Sequence, residues 1–282
     1  MSLINKVNLQ LAIYFFLCIS VASCQVKQEV AAPQKKSSAQ YVIPGEFRDM
    51  EVDRLGFIYL INYKNEIYKY DESFELLFKT SFNTLGSIDY IDVSNPQKVL
   101  VYHSDFQNIL FLDNTLSQIN TLNLESLGFW NIGTVAPSND NLIWIYDPVN
   151  YKLVKINESG KEQLSSNELF SGGIQGRNNP RIISRDDKIY LYTEEQLMIF
   201  NIFGDFDKVI NVSNNGIQFL SSDIIYNQDN QLYSRSTKVE FITNEDQLLY
   251  QYDHAIKDFY LDKDNAIYTL DSGGVFIASL QE

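Results

Sequence analysis

The sequence predicts an all-β chain folded as a six-bladed β-propeller with four-stranded antiparallel blades, and three observations carry that expectation. A turn of Asp, Asn, Gly or Lys followed by an apolar-aromatic strand recurs six times. The copies open at Gly56, Lys98, Asn141, Asp187, Asn230 and Asn265, at spacings of 42, 43, 46, 43 and 35 residues, the interval of a four-stranded blade. The 282 residues include 18 Tyr and 18 Phe against 3 Met and 6 Pro, a mixture that favours strands. The repeated strands are near-continuous apolar runs, as strands buried on both faces require.

Each copy fills out to a blade. A strand precedes the repeated one at 49–52, 88–93, 181–183 and 257–261, and a third follows at 66–70, 108–112, 152–156, 196–200, 239–242 and 274–277. The first five copies add a fourth strand, such as 75–78 and 248–252, whereas the sixth stops after its third. The segment Tyr41-Val42-Ile43 is expected to supply that missing outer strand and close the ring, which leaves only short sheet edges. Wide aromatic rings then fill the wedges between twisted blades. The repeated acids Asp53, Asp92, Asp113 and Asp264 read as turn residues bonded to their own backbones.

Two stretches carry a family resemblance. Asp53-Arg54-Leu55-Gly56-Phe57-Ile58-Tyr59 with Asn65-Glu66-Ile67, and Asn141-Leu142-Ile143-Trp144-Ile145-Tyr146-Asp147-Pro148 with Tyr151-Lys152-Leu153, resemble the NHL-type propeller repeat. The last copy, Ile267-Tyr268-Thr269-Leu270-Asp271, is closer to a degenerate YWTD repeat. The resemblance spans residues 40–282 and implies a six-bladed propeller. It says little of activity, because this architecture serves hydrolases, lyases, lactonases and plain binding modules.

Ahead of the repeats lies an address. One lysine, Lys6, precedes an apolar run from Leu11 to Ile19 and small residues up to Cys24, a signal-peptide layout too short to span a bilayer as a helix. Val21-Ala22-Ser23-Cys24 resembles the lipobox of bacterial lipoproteins, which implies cleavage before Cys24 and a diacylated cysteine as the membrane anchor. The competing reading is an ordinary secretory signal cut near Ala22. With Cys18 discarded and Cys24 acylated, no thiol remains for a disulfide or metal site. The expected organisation is a signal at 1–23, a lipidated tether at 24–39 and the propeller at 40–282. The tether is polar and small, reaching about 20 Å as a coil. Its lysines, Lys27, Lys35 and Lys36, rest on anionic headgroups or simply solubilise it; both readings stay open. Gln25 is not the aspartate of an inner-membrane retention signal, and the acidic run of Bacteroidetes surface-export signals is absent. By resemblance the expected place is the outer membrane, facing the periplasm.

Charge narrows the partners. The chain has 22 basic and 36 acidic side chains, a net charge of −14. Loss of Lys6 leaves 21 basic residues and −15, so nucleic acid is excluded as an expected partner. Propeller sites sit at channel mouths by fold-level analogy. The expected binding face is built by second-to-third-strand hairpins and connections between blades. It carries His103, Asp105, Asp147, Asn150, Arg177, Asn178 and His254. His103 and His254 with Asp105 would form a metal site or an acid-base pair only if the ring brought them together; as residues of blades 2 and 5 they more simply read as two surface imidazoles. No cofactor or metal is expected, no nucleophile elbow, HExxH or EF-hand pattern occurs, and the Glu, Asn and Asp calcium site of senescence-marker-type lactonases has no counterpart. The favoured reading is a non-catalytic platform for an envelope protein or peptide. The alternative is a periplasmic or surface hydrolase or lactonase acting at the channel mouth.

Overall fold

The computed structural model describes residues 40–169, 180–212, 216–220, 223–237 and 246–279, all within the larger of two compact units, Ser37–Glu282. The strands of this region follow one another as β1 (Gln40–Pro44); β2 (Phe47–Val52), β3 (Ile58–Asn62), β4 (Glu66–Tyr70) and β5 (Leu76–Ser81) in blade 1; β6 (Tyr90–Asp92), β7 (Val99–His103), β8 (Asn108–Leu112) and β9 (Gln118–Asn123) in blade 2; β10 (Thr134–Pro137), β11 (Ile143–Asp147), β12 (Lys152–Ile156) and β13 (Glu162–Ser165) in blade 3. Blade 4 holds β14 (Arg181–Arg185), β15 (Lys188–Tyr192), β16 (Gln196–Asn201) and β17 (Phe206–Asn211); blade 5 holds β18 (Ile217–Leu220), β19 (Asp223–Gln228), β20 (Gln231–Ser236) and β21 (Gln247–Gln251). Blade 6 consists of β22 (Asp258–Leu261), β23 (Ala266–Leu270), β24 (Gly274–Ser279) and, as its outermost strand, β1. Gln40 pairs with Ile277 and Pro44 with Gly274, which is the closure expected of the segment at 41–43.

Burial is graded across each blade because the middle strands have neighbours on both faces. Every residue of β7 and β8 is buried, whereas the outer strand β5 is exposed at five of six positions. Six apolar clusters each join two consecutive blades. Tyr59 and Ile67 of blade 1 meet Val101 and Leu110 of blade 2, and Trp144 and Tyr146 of blade 3 meet Leu191 and Phe200 of blade 4. Ile43 and Leu270 of blade 6 meet Met50 and Leu60 of blade 1, so the ring is closed. Each such side chain contributes about 1.5–3 kcal/mol on burial. The largest fully buried ones are Trp144, Tyr59, Tyr102, Tyr146, Tyr226 and Phe200, which accounts for the aromatic surplus.

Polar bonds tie the blades together around the axis, since a buried donor or acceptor must find a partner where strands end. Arg48 donates to the Ile88 carbonyl between blades 1 and 2, and the Tyr90 hydroxyl accepts from Val135 N at 2.6 Å between blades 2 and 3. Ile182 N donates to Thr134 Oγ1 at 3.3 Å, and Arg185 to the Phe219 carbonyl at 2.5 Å. Gln218 and Leu261 exchange two bonds, and Met50 N donates to Asp258 Oδ2 at 3.1 Å across the closing seam.

Turn acids recur with one geometry. Asp53 Oδ1 accepts from Leu55 N and Phe57 N, and Asp113 Oδ1 from Thr115 N and Ser117 N; Asp92 Oδ1 accepts from Ser94 N. The expectation for Asp264 is corrected: the bonding carboxylate in that turn is Asp262, which accepts from the N–H groups of Asp264 and Ala266. The fifth copy is also corrected. Asn230 lies in the hairpin between the second strand β19 and the third strand β20, one strand later than expected. Asp229 and Asn230 sit at φ +50° and +60°, the left-handed backbone that Asn and Asp adopt most readily. Asn141 and Asn265, at φ +63°, open second strands with the same chemistry, so the turn signature misassigns the strand. The third strand expected at 239–242 lies outside the described residues.

Candidate functional site: the channel and the hairpin face

The first strands alternate, apolar toward the adjoining blades and polar toward the axis. This places Asp49 and Glu51 of β2, Asp92 of β6, Arg181 of β14, Gln218 of β18 and Asp258 of β22 around a cavity of about 1580 Å³. All five described first-to-second-strand turns contribute lining, whereas among the described second-to-third hairpins only Thr193 and Glu194 do. The cavity therefore opens mainly on the turn face, opposite the hairpin face that the sequence reading favours.

Burial of carboxylates governs the electrostatics, with their mutual repulsion second at Glu51. Each of the four acids is partly exposed to the channel solvent, yet enclosed enough that burial is the largest influence on all of them. Burial, then the adjoining Asp258, pushes the Glu51 carboxyl well above its ordinary range. Asp258 rises to about 7 through burial, against the opposing pull of its bonds from Met50 N and Phe259 N. Asp92 and Asp49 are also raised by burial; Ser94 opposes the shift at Asp92, and Arg48, 3.2 Å from Asp49, opposes it there. The Arg181 guanidinium lies 4.8 Å from the centroid of the Tyr90 ring and faces Glu51 and Asp49, while burial raises Tyr192 to about 12. Burial thus favours the protonated form of every carboxyl in the ring, and Asp258 titrates near neutrality. Glu51, Arg181 and Asp258 were legible as polar residues at alternate positions of inner strands; reading those strands only as cover for the core misses them.

The residues expected on the binding face form separate local sets. His103 ends β7 and is fully buried, with Nδ1 3.1 Å from the Gly86 carbonyl and burial lowering its pKa; this corrects the surface imidazole expected there. Asp105 Oδ2 accepts from Ser87 N at 2.8 Å. Asp147 accepts from the backbone of Val149 and Asn150 and from Asn150 Nδ2 at 2.6 Å, closing its own hairpin. His254 Nδ1 is 2.6 Å from Asp253, and its Nε2 lies 3.9 Å from Asp271. Arg177 and Asn178 lie outside the described residues. None of the other five lines the cavity, and among the described residues no three His, Cys, Asp or Glu are grouped to hold a metal ion.

The hairpin face carries something else. Tyr63, Phe106 and Val149 project from the second-to-third hairpins of blades 1, 2 and 3, and Trp130 from the connection between blades 2 and 3, at exposures of 64, 57, 60 and 58%. Comparable exposures occur off this face, at Phe203 and Phe206 (62 and 58%), but here four such side chains lie on neighbouring loops of one face.

No protein-family model matches the sequence, and no curated protein matches it. Among solved structures the chain is similar to the extracellular domain of a hybrid two-component system from B. thetaiotaomicron, with a TM-score of 0.54 and 14% identity over 83% of this chain and 34% of that one. It thus spans about a third of that protein's length. Virginiamycin B lyase from Staphylococcus aureus gives a TM-score of 0.53 and 11% identity over 88% of this chain and 82% of the lyase. The Neurospora crassa Pan2 WD40 domain gives 0.56 and 11% over 84% and 90%. At identities this low, the likenesses carry the propeller architecture and no activity.

Proposed function

We propose that this chain is a propeller-bearing lipoprotein of the bacterial envelope, anchored through Cys24 to the outer membrane on its periplasmic side and serving as a platform for a protein or peptide. The observation that carries the platform is the row of Tyr63, Phe106, Trp130 and Val149 on the hairpin face, since Trp and Tyr are the side chains from which binding hot spots are most often built. Chain direction supports the same arrangement. Gln40 pairs with Ile277, at the far end of β24 from the β23–β24 hairpin, so β1 begins on the turn face, and a tether leading into it would leave the hairpin face free for a partner. The likeness to an extracellular domain accords with an envelope location.

Two measurements test this. Cys24→Ser is expected to abolish metabolic labelling with palmitate and to move the chain from the membrane to the soluble fraction. Photo-crosslinkers at positions 106 and 130 are expected to capture a partner that a crosslinker at exposed Leu76 on β5 does not. Equal capture from all three positions sinks the platform. The channel favours a second reading, a hydrolase or lactonase, through Asp258, raised to about 7, and Glu51, raised well above its ordinary range, around one cavity with Arg181. Turnover found in a substrate screen and surviving both Glu51→Gln and Asp258→Asn rules that reading out.

A further inference from the structure

We infer that the partner of the hairpin face is a cationic amphipathic segment of another protein, an inference that rests on the platform reading and adds the chemistry of what binds. Among the described residues, the second-to-third hairpins and the connections between blades carry ten acidic side chains against two lysines, Lys64 and Lys257. Lys257 is already engaged, donating to the Phe47 carbonyl at 2.8 Å and lying 5.3 Å from the centroid of the Tyr63 ring. Acid and apolar groups alternate along the face: exposed Asp105 precedes Phe106, exposed Glu125 shares a connection with Trp130, and Asp147 opens the hairpin of Val149. A partner that covers the aromatic groups must bring its own charges close to these carboxylates. A basic one gains attraction and faster encounter, and an acidic one is repelled.

The test uses the full chain in zwitterionic nanodiscs, with empty nanodiscs as the blank. The probes are a 14-residue peptide of Lys and Leu at helical spacing, the same peptide with Glu for Lys, and an all-Lys peptide. Trp130 is exposed and Trp144 buried, so a blue shift in emission on binding reports the face itself, and calorimetry gives the affinity. The Lys-Leu peptide is expected to shift the emission and to bind about tenfold or more tighter than either control, with binding weakened by salt. Trp130→Ala and Phe106→Ser are expected to weaken it about tenfold each. Equal binding of the Glu peptide or the all-Lys peptide overturns the inference, as does binding that survives both substitutions. A position-specific crosslink from 106 or 130 to an acidic partner, or to a second copy of this chain, overturns the assigned chemistry while the platform stands. Failure of the peptide together with failure of any position-specific crosslink removes both.

Discussion

Replacement of Asp258 by Asn is expected to destabilise the propeller in acid and stabilise it in alkali. Asp258 titrates near 7 in the folded protein against an ordinary value of 3.8. A gap of about three units corresponds to about 4 kcal/mol between its protonation states, an upper figure because channel water screens the group. Folding binds the proton more tightly, so this contribution is fully present below pH 3.8 and is lost as pH rises through 7. Asn carries no charge to bury but has one oxygen where the carboxylate offers Oδ2 to Met50 N and Oδ1 to Phe259 N. One of these donors is left facing an amide, which costs about 1–3 kcal/mol. At pH 5, about 1.2 units above the unfolded value, about 1.6 kcal/mol of the proton's contribution is already lost from the wild type, which largely offsets the mismatch, and the variant is expected within about 1.5 kcal/mol of the wild type; the full loss of about 1–3 kcal/mol shows only below pH 3.8. At pH 9 relief of the buried charge outweighs it, leaving the variant more stable by about 1–3 kcal/mol, or several degrees in Tm for a domain of this size. Urea unfolding at pH 5, 7 and 9, followed through buried Trp144, gives both numbers. A difference of the same sign and size at pH 5 and pH 9 refutes the reasoning.

Other perturbations follow from the same geometry. Ile43 is 2% exposed in the seam between blades 6 and 1, so Ile43→Ala is expected to cost about 2–4 kcal/mol in thermal unfolding; a loss below 1 kcal/mol contradicts the closing role of β1. Burial lowers the pKa of His103 below its ordinary 6.5, so this residue's contribution is complete above pH 6.5 and is lost as pH falls below it. His103→Phe is expected to flatten that part of the acid limb, seen as a smaller drop in Tm from pH 7 to pH 5. Asp113 holds the β8–β9 turn through Thr115 and Ser117, and Asp113→Ala is expected to speed hydrogen exchange in β9 without altering exchange in blade 4.

The sequence carries the blades more plainly than the site because the two depend on different distances. Apolar runs such as Val99 to Val101 and turn formers such as Asn141 act within a few residues, so a period near 43 survives in plain text. Where two turns share a chemistry, as at Asn230 and Asn265, local reading cannot say which strand follows, and blade 5 slips. The channel is a matter of ring closure: Glu51 and Asp258 are 207 positions apart in the chain, and nothing local to either announces that β2 and β22 adjoin. The polar alternation of β2 was visible, but its meaning required knowing that first strands face an axis. His103 fails in the opposite direction. A histidine at a strand end beside Ser104 and Asp105 looks accessible, yet the connection through Gly86 and Ser87 folds over it.

Closure and anchorage meet in one strand. β1 is both the outer edge of blade 6 and the segment into which the proposed tether would run, so any tension on that tether would enter the ring along β1 from Gln40. Its ladder to β24 is loaded lengthwise, with all its bonds sharing the load rather than breaking one at a time. Ile43 adds apolar packing with Leu270 and Met50 on the same seam. Were β1 to detach, Ile43 and Val275 would meet water, whereas Glu51 and Asp258 sit on the innermost strands β2 and β22, with β23 and β24 between β22 and β1, and keep their burial. Loss of the outer strand and ionisation of the channel are therefore independent events. Protease cleavage near residue 40 is expected to vary with pH to the same extent in wild type and in Asp258→Asn: a pH dependence that the variant removes shows that the seam and the channel are coupled after all.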